Sequence, residues 1–146
     1  MRAQTMALLL GYLGLIPFVA PALLIWFLDE QTALLLSTVQ IVYAALIISF
    51  MGGVHWGYAV KQGDNARYWQ FLISVLPTLV LFAVFVFGLT VEPLYIAILF
   101  SLILIVQAGV DQITMTEKWF VTLRLVLTAT ASVSLVLVGL SGFFDT

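Results

Sequence analysis

The sequence predicts an all-α membrane protein, a bundle of five antiparallel transmembrane helices, and three observations predict it. Hydrophobic residues make up 64% of the chain and charged residues 8%, with a mean hydropathy of +1.21, a balance far from that of water-soluble domains. The apolar residues fall into five runs, each near the ~20 residues a helix needs to cross a hydrocarbon core about 30 Å thick. Four short links hold nearly all the charge, and links this short force consecutive helices to run antiparallel.

The first span is Met6 to Leu28. Arg2 ahead of an apolar run resembles the start of a signal peptide. The run is as long as a full span, however, Pro17 and Pro21 fall where a short apolar core would lie, and no small-x-small cleavage site precedes Asp29. Both prolines predict kinks, and Gly11 with Gly14 predicts a smooth face. After the link Asp29-Glu30-Gln31-Thr32, the second span covers Ala33 to Tyr58. Gly53 and Gly57 there form a small-xxx-small pair beside Gly52, which predicts close helix packing. The link Lys61 to Arg67 leads to the third span, Trp69 to Leu89, with a kink expected at Pro77. Thr90-Val91-Glu92 precedes the fourth span, Pro93 to Val110, where Pro93 at a helix start costs nothing. Asp111 to Lys118 links it to the fifth span, Trp119 to Leu140. No internal repeat supports an inverted-repeat transporter, so residues 1–146 read as a single transmembrane domain with no room in it for a soluble one.

Basic residues set the expected orientation, because Lys and Arg are retained in the cytoplasm. Arg2, Lys61, Arg67 and Lys118 belong to the N-terminus, the second link or the fourth, with Arg124 just past the fourth, whereas the first and third links carry only Asp29, Glu30 and Glu92. The N-terminus is therefore expected in the cytoplasm and the C-terminus, with Asp145, on the periplasmic or extracytoplasmic side of an inner (plasma) membrane. Trp26, Trp56, Tyr58, Tyr68, Trp69 and Trp119 near span ends suit an aromatic belt.

Composition also excludes several classes of function. A net charge of −2 argues against a nucleic-acid partner. The chain has no cysteine, which removes disulfides, iron–sulfur clusters, thiolate zinc and a cysteine nucleophile. A single histidine cannot make a bis-His haem, and the lysines, Lys61 and Lys118, lie in links where no retinal Schiff base would form. No catalytic signature is recognisable and no cofactor is expected.

Ionisable groups inside a span cost roughly 2.5–3.5 kcal/mol each on insertion scales, so each calls for an explanation. His55 near the end of span two, Asp111 at the end of span four and Arg124 inside the start of span five come from three helices, yet antiparallel threading puts them at one depth near the inner interface. Helical spacing adds company on the same faces: Gln107 one turn from Asp111, Thr128 and Ser132 in a stripe with Arg124, and Gln40, Tyr43, Met51 and Tyr58 with His55. Gly53 and Gly57 fall roughly opposite His55, so span two is expected to pack on one side and line a polar interior with the other. Structural readings compete. Arg124 can snorkel to the headgroups, Asp111 can cap a turn or pair with Lys118, His55 can bond a backbone carbonyl, and an Asp111–Arg124 pair can pin two helices without chemistry. The functional reading is a cytoplasm-facing polar pocket of His55, Asp111, Arg124, Gln107, Thr128 and Trp56, able to relay protons or hold an anionic head group. One His and one Asp beside a repelling Arg124 make a metal site unexpected.

The segments Met51-Gly52-Gly53-Val54-His55-Trp56-Gly57 and Lys118-Trp119-Phe120-Val121-Thr122-Leu123-Arg124-Leu125-Val126-Leu127-Thr128 carry a resemblance over essentially the whole chain. It resembles the domain-of-unknown-function 3429 family, which includes eukaryotic transmembrane protein 69. The resemblance implies five spans, a GG-x-HWG segment ending the second, and a W-[YF]-x-x-LR-x-x-LT segment opening the fifth with an acidic residue before it. Gly52, Gly53, His55, Trp56 and Gly57 match the first; Trp119, Phe120, Leu123, Arg124, Leu127 and Thr128 match the second, with Asp111 upstream. Lys118 stands where the family pattern has proline. The family has no established biochemical role, so the resemblance implies topology and site positions without an activity.

Three functions compete on this reading. The favoured one is a non-catalytic binding or accessory protein of the bilayer, holding a lipid, quinone-like or anionic small molecule, or packing into a homo-oligomer or larger membrane complex. The alternative is a small proton-coupled transporter or channel using His55, Asp111 and Arg124. An intramembrane enzyme ranks last, since no nucleophile stands at a recognisable spacing.

Overall fold

The computed structural model describes residues 2–87 and 91–144, with side chains as far as 142. Every regular element among them is helical: α1 (Ala3–Leu13), α2 (Ile16–Leu24) with a 3₁₀ turn to Phe27, α3 (Glu30–Gln62), α4 (Tyr68–Phe87), α5 (Pro93–Thr114) and α6 (Lys118–Phe144). Five segments are long and apolar enough to cross a membrane, α1 and α2 together forming the first. The protein is thus an all-α, five-span, multi-pass membrane protein in contact with lipid.

The first span is interrupted just ahead of Pro17. Its chain turns at Gly14 and Leu15, and Pro17 lies in the first turn of α2 instead of inside a continuous helix. A proline there gives up an N–H that no helical carbonyl would have bonded. Pro21 and Pro77 do lie inside helices, α2 and α4. The second span is longer than hydropathy indicates, because Asp29 caps α3 by accepting from the Thr32 amide at 3.1 Å and the Thr32 hydroxyl at 2.7 Å. At the far end Gly63 takes φ +55°, which favours glycine, and ends the helix. The predicted end of span three, Leu89, lies outside the described residues, as does Asp145.

The most extensive contacts are between α5 and α6 and between α3 and α4, and α2 lies against α6. The core where they meet contains Phe18, Ile48, Phe100, Leu104 and Leu135, each almost fully buried. Two glycines set the closest approaches. A β-carbon at Gly52 would overlap the Ser74 carbonyl of α4, and one at Gly139 would stand 3.0 Å from the Leu94 Cα of α5. Gly53 and Gly57 have nothing within 4 Å of where a β-carbon would be. The expected small-xxx-small pair does no packing within the chain; its neighbour Gly52, about 100° round the helix from Gly53, does it instead. Gly11 does pack as expected, against Leu123 and Leu127 of α6.

Candidate functional site

Antiparallel threading brings the end of α3, the end of α5 and the start of α6 to one level, and three side chains meet there. His55 Nε2 lies 2.6 Å from Asp111 Oδ1, and Arg124 Nε donates to Asp111 Oδ2 at 2.8 Å. All three are buried, Asp111 with no exposed surface at all. Asp111 stands inside α5, which continues to Thr114, and not in the link where the sequence puts it. The reason is charge: a carboxylate held between two donors no longer has to leave the apolar phase to be satisfied.

The geometry fixes a proton position. Arg124 is always cationic and would be left uncompensated by a neutral carboxyl, so Asp111 is a carboxylate that can only accept. Its Oδ1 contact with His55 therefore requires a proton on Nε2. In the neutral imidazole Nδ1 is then a bare lone pair, and it is buried without a protein partner. The Arg124 Nη2 and Thr128 Oγ1 atoms are likewise buried and unpartnered.

Two spaces flank the trio. On the Arg124 side a cavity of about 410 Å³ lies between the broken first span, α3 and α6. Its wall is apolar, formed by residues such as Gly11, Phe18, Met51 and Leu127, apart from Arg124, Thr128 and Tyr43. Tyr43 donates its hydroxyl proton to the Gly14 carbonyl at 3.0 Å. On the His55 side a pocket of about 10 Å³ is lined by His55, Tyr58, Gln70, Ile73, Val110 and Thr114. About 10–15 Å³ is the space that one water occupies.

The other predicted site residues divide. Thr128 lines the large cavity one turn from Arg124. Gln107 is buried and joins α5 to α3 by donating from Nε2 to the Ile48 carbonyl at 3.0 Å, with no bond to the trio. Trp56 is 46% exposed and stacks edge-on against Phe71 with ring centroids 5.0 Å apart, so it lies outside the cluster. One residue along from His55, it is turned about 100° away. The large cavity is lined chiefly by spans one, two and five, with Leu104 of span four also in its wall. Gln70 and Thr114 were not singled out by the sequence, although Gln70 is a polar residue near the start of an apolar run and a signal of that kind.

A model of the family described as "Protein of unknown function (DUF3429)" matches residues 3–140. The chain is similar to Transmembrane protein 69 of Xenopus tropicalis, 33% identical over 137 residues, which cover 89% of this chain and 52% of that protein. It is 29% identical over 132 residues to Transmembrane protein 69 of Mus musculus, covering 89% of this chain and 54% of the relative. The chain spans about half the length of these curated relatives. No solved structure matches it.

Proposed function

Because the chain belongs to the family of multi-pass membrane proteins described as DUF3429, whose description carries no activity, we propose a function from the site alone: a non-catalytic binding protein that holds one amphipathic small molecule within the bilayer. The apolar body of the ligand lies in the cavity between the first span, α3 and α6. Its hydrogen-bond-accepting head, a carbonyl or an anionic group as in a single-chain lipid or a quinone-like molecule, meets Arg124 and Thr128.

One observation carries this reading: Arg124 and Thr128, one turn apart on α6, form part of the wall of an otherwise apolar cavity, while Arg124 Nη2 and Thr128 Oγ1 have no partner in the protein. Buried donors of that kind are costly unless something accepts from them. The cavity, about 410 Å³, lies at the small end of the range for ligand pockets, about 300–1,000 Å³, which suits one chain. Its lining runs from Ala7 and Trp119 near the basic face to Phe18 and Ala131 deeper in, a course that suits a head at the interface and a tail toward the midplane. On this proposal that face, which carries the basic links, is the cytoplasmic one, and the membrane is the inner (plasma) membrane.

The proton-coupled transport reading has less support. A route needs polar groups continuing beyond the trio, and Gln107, Gln40 and Tyr43 instead donate to the Ile48, Phe18 and Gly14 carbonyls.

The test is extraction in a membrane-excising polymer without detergent, followed by mass spectrometry of what co-purifies. Wild type is expected to retain a single-chain amphiphile at near-unit ratio. Ile47→Trp, which fills the cavity, and Thr128→Val, which removes a head-group contact, are expected to lower that ratio. Equal retention by all three proteins, or only bulk lipid in each, overturns the reading.

A further inference from the structure

The pocket beside His55 and the cavity beside Arg124 lie on opposite sides of one hydrogen-bonded chain. Along it, His55 Nε2 donates to Asp111 Oδ1 at 2.6 Å and Arg124 Nε donates to Asp111 Oδ2 at 2.8 Å. With neutral imidazole the chain sums to zero charge. With imidazolium it carries one net positive charge in a medium where charge is poorly screened.

We infer that His55 sets the charge of ligand that the cavity accepts: a proton on its Nδ1, taken from the small pocket, converts a site for neutral head groups into one for anionic amphiphiles. The inference rests on the binding reading above. His55 does not line the large cavity, so it acts on the ligand through Asp111 and Arg124.

The small pocket suits proton delivery. Nδ1 is buried and unpartnered, and the adjacent space of about 10 Å³ is that of about one water. A water there has polar groups to bond. Tyr58, Gln70 and Thr114 line the space; Gln70 Oε1 already accepts from the Arg67 amide and the Thr114 hydroxyl donates to the Val110 carbonyl, which leaves the Gln70 amide protons and a Thr114 lone pair for it. Tyr58, Gln70 and Thr114 all stand near the membrane face that carries Lys61, Arg67 and Lys118, so the proton comes from the aqueous side of that face. Of the groups around His55, α5 contributes the Asp111 charge, α6 the Arg124 charge beyond it, and α3 itself Tyr58. From α4, Gln70 and Ile73 face the pocket and neither titrates.

Linkage makes the effect reciprocal: if the proton tightens the anion, the anion draws in the proton. The full chain in phosphatidylcholine nanodiscs is titrated with a long-chain alkyl sulfonate, which stays anionic throughout, and with the matching alcohol, which stays neutral. Sulfonate affinity is expected to rise about tenfold from about pH 8 to about pH 5, with alcohol affinity flat. In weak buffer at intermediate pH, sulfonate binding is expected to take up a fraction of one proton per ligand, a measurement that needs no variant. In His55→Gln, sulfonate affinities at the two pH values are expected to converge. Sulfonate binding that ignores pH, that takes up no proton, or that keeps its pH dependence in His55→Gln sinks the inference and leaves the binding reading standing. If neither probe binds wild type at any pH, both fall.

Discussion

Gly52 of α3 lies so close to the Ser74 carbonyl of α4 that a β-carbon on residue 52 would overlap the oxygen. The obstruction is backbone, which cannot swing aside as a flexible side chain would. Gly52→Ala is expected to force α3 and α4 apart and to destabilise the protein by about 1–3 kcal/mol, the usual cost of overpacking. Gly53→Ala and Gly57→Ala meet nothing within 4 Å, and alanine favours the helix over glycine by up to about 1 kcal/mol. Unfolding in mixed micelles should rank Gly52→Ala well below wild type and the other two at or above it; an equal loss at all three would contradict the contact.

Asp111 is the shared partner of two donors, so its removal leaves a buried guanidinium without a counter-charge. Asp111→Ala is expected to cost about 3–5 kcal/mol. The double variant Asp111→Leu with Arg124→Leu removes both charges and is expected to recover most of that loss, since replacing a whole buried pair by apolar residues is often neutral. Strict additivity of the two single substitutions in a double-mutant cycle would show that the pair is not coupled.

Tyr43 gives its hydroxyl proton to the Gly14 carbonyl at 3.0 Å, a bond that ties α3 to the break in the first span. Tyr43→Phe keeps the ring that meets Phe18 edge-on at 5.2 Å and loses only the bond. A cost of about 0.5–1.5 kcal/mol is expected, with faster hydrogen exchange confined to the residues around Gly14. A uniform change across the whole first span would instead implicate the ring.

Asp29, at the start of α3, has its carboxyl held below the usual carboxylate range by the Thr32 hydroxyl first and then by the Thr32 amide. A depressed folded value means the stabilisation is complete above the unfolded value of 3.8 and is lost as pH falls through the lower, folded one. Exchange of the first-turn amides of α3, corrected for intrinsic rates, should therefore show constant protection down to about pH 5 and decline only in stronger acid. Asp29→Asn should remove that acid limb, because asparagine caps without titrating.

The spans were legible because lipid imposes one length on every crossing helix, and His55, Asp111 and Arg124 were legible because a buried charge needs a reason. Adjacent residues were not separable in the same way. Hydropathy cannot say which of Gly52 and Gly53 faces α4, nor whether His55 or Trp56 turns inward, since each pair differs only by one step of helical rotation. Asp111 read as link because a charge ends an apolar run, whereas the donors that let α5 continue past it come from distant parts of the chain. The cavity was invisible for a related reason. It depends on where the first span breaks, and the break falls at Gly14 and Leu15, just ahead of Pro17.

α1 buries none of its residues and meets the bundle chiefly along α6, yet Ala7, Leu10 and Gly11 form one wall of the large cavity. That wall is a single apolar helix, and its outer side faces away from the bundle. A guest molecule would enter and leave sideways, between α1 and its neighbours, without ever crossing water, so its supply would follow its abundance in the leaflet and not its solubility in the cell.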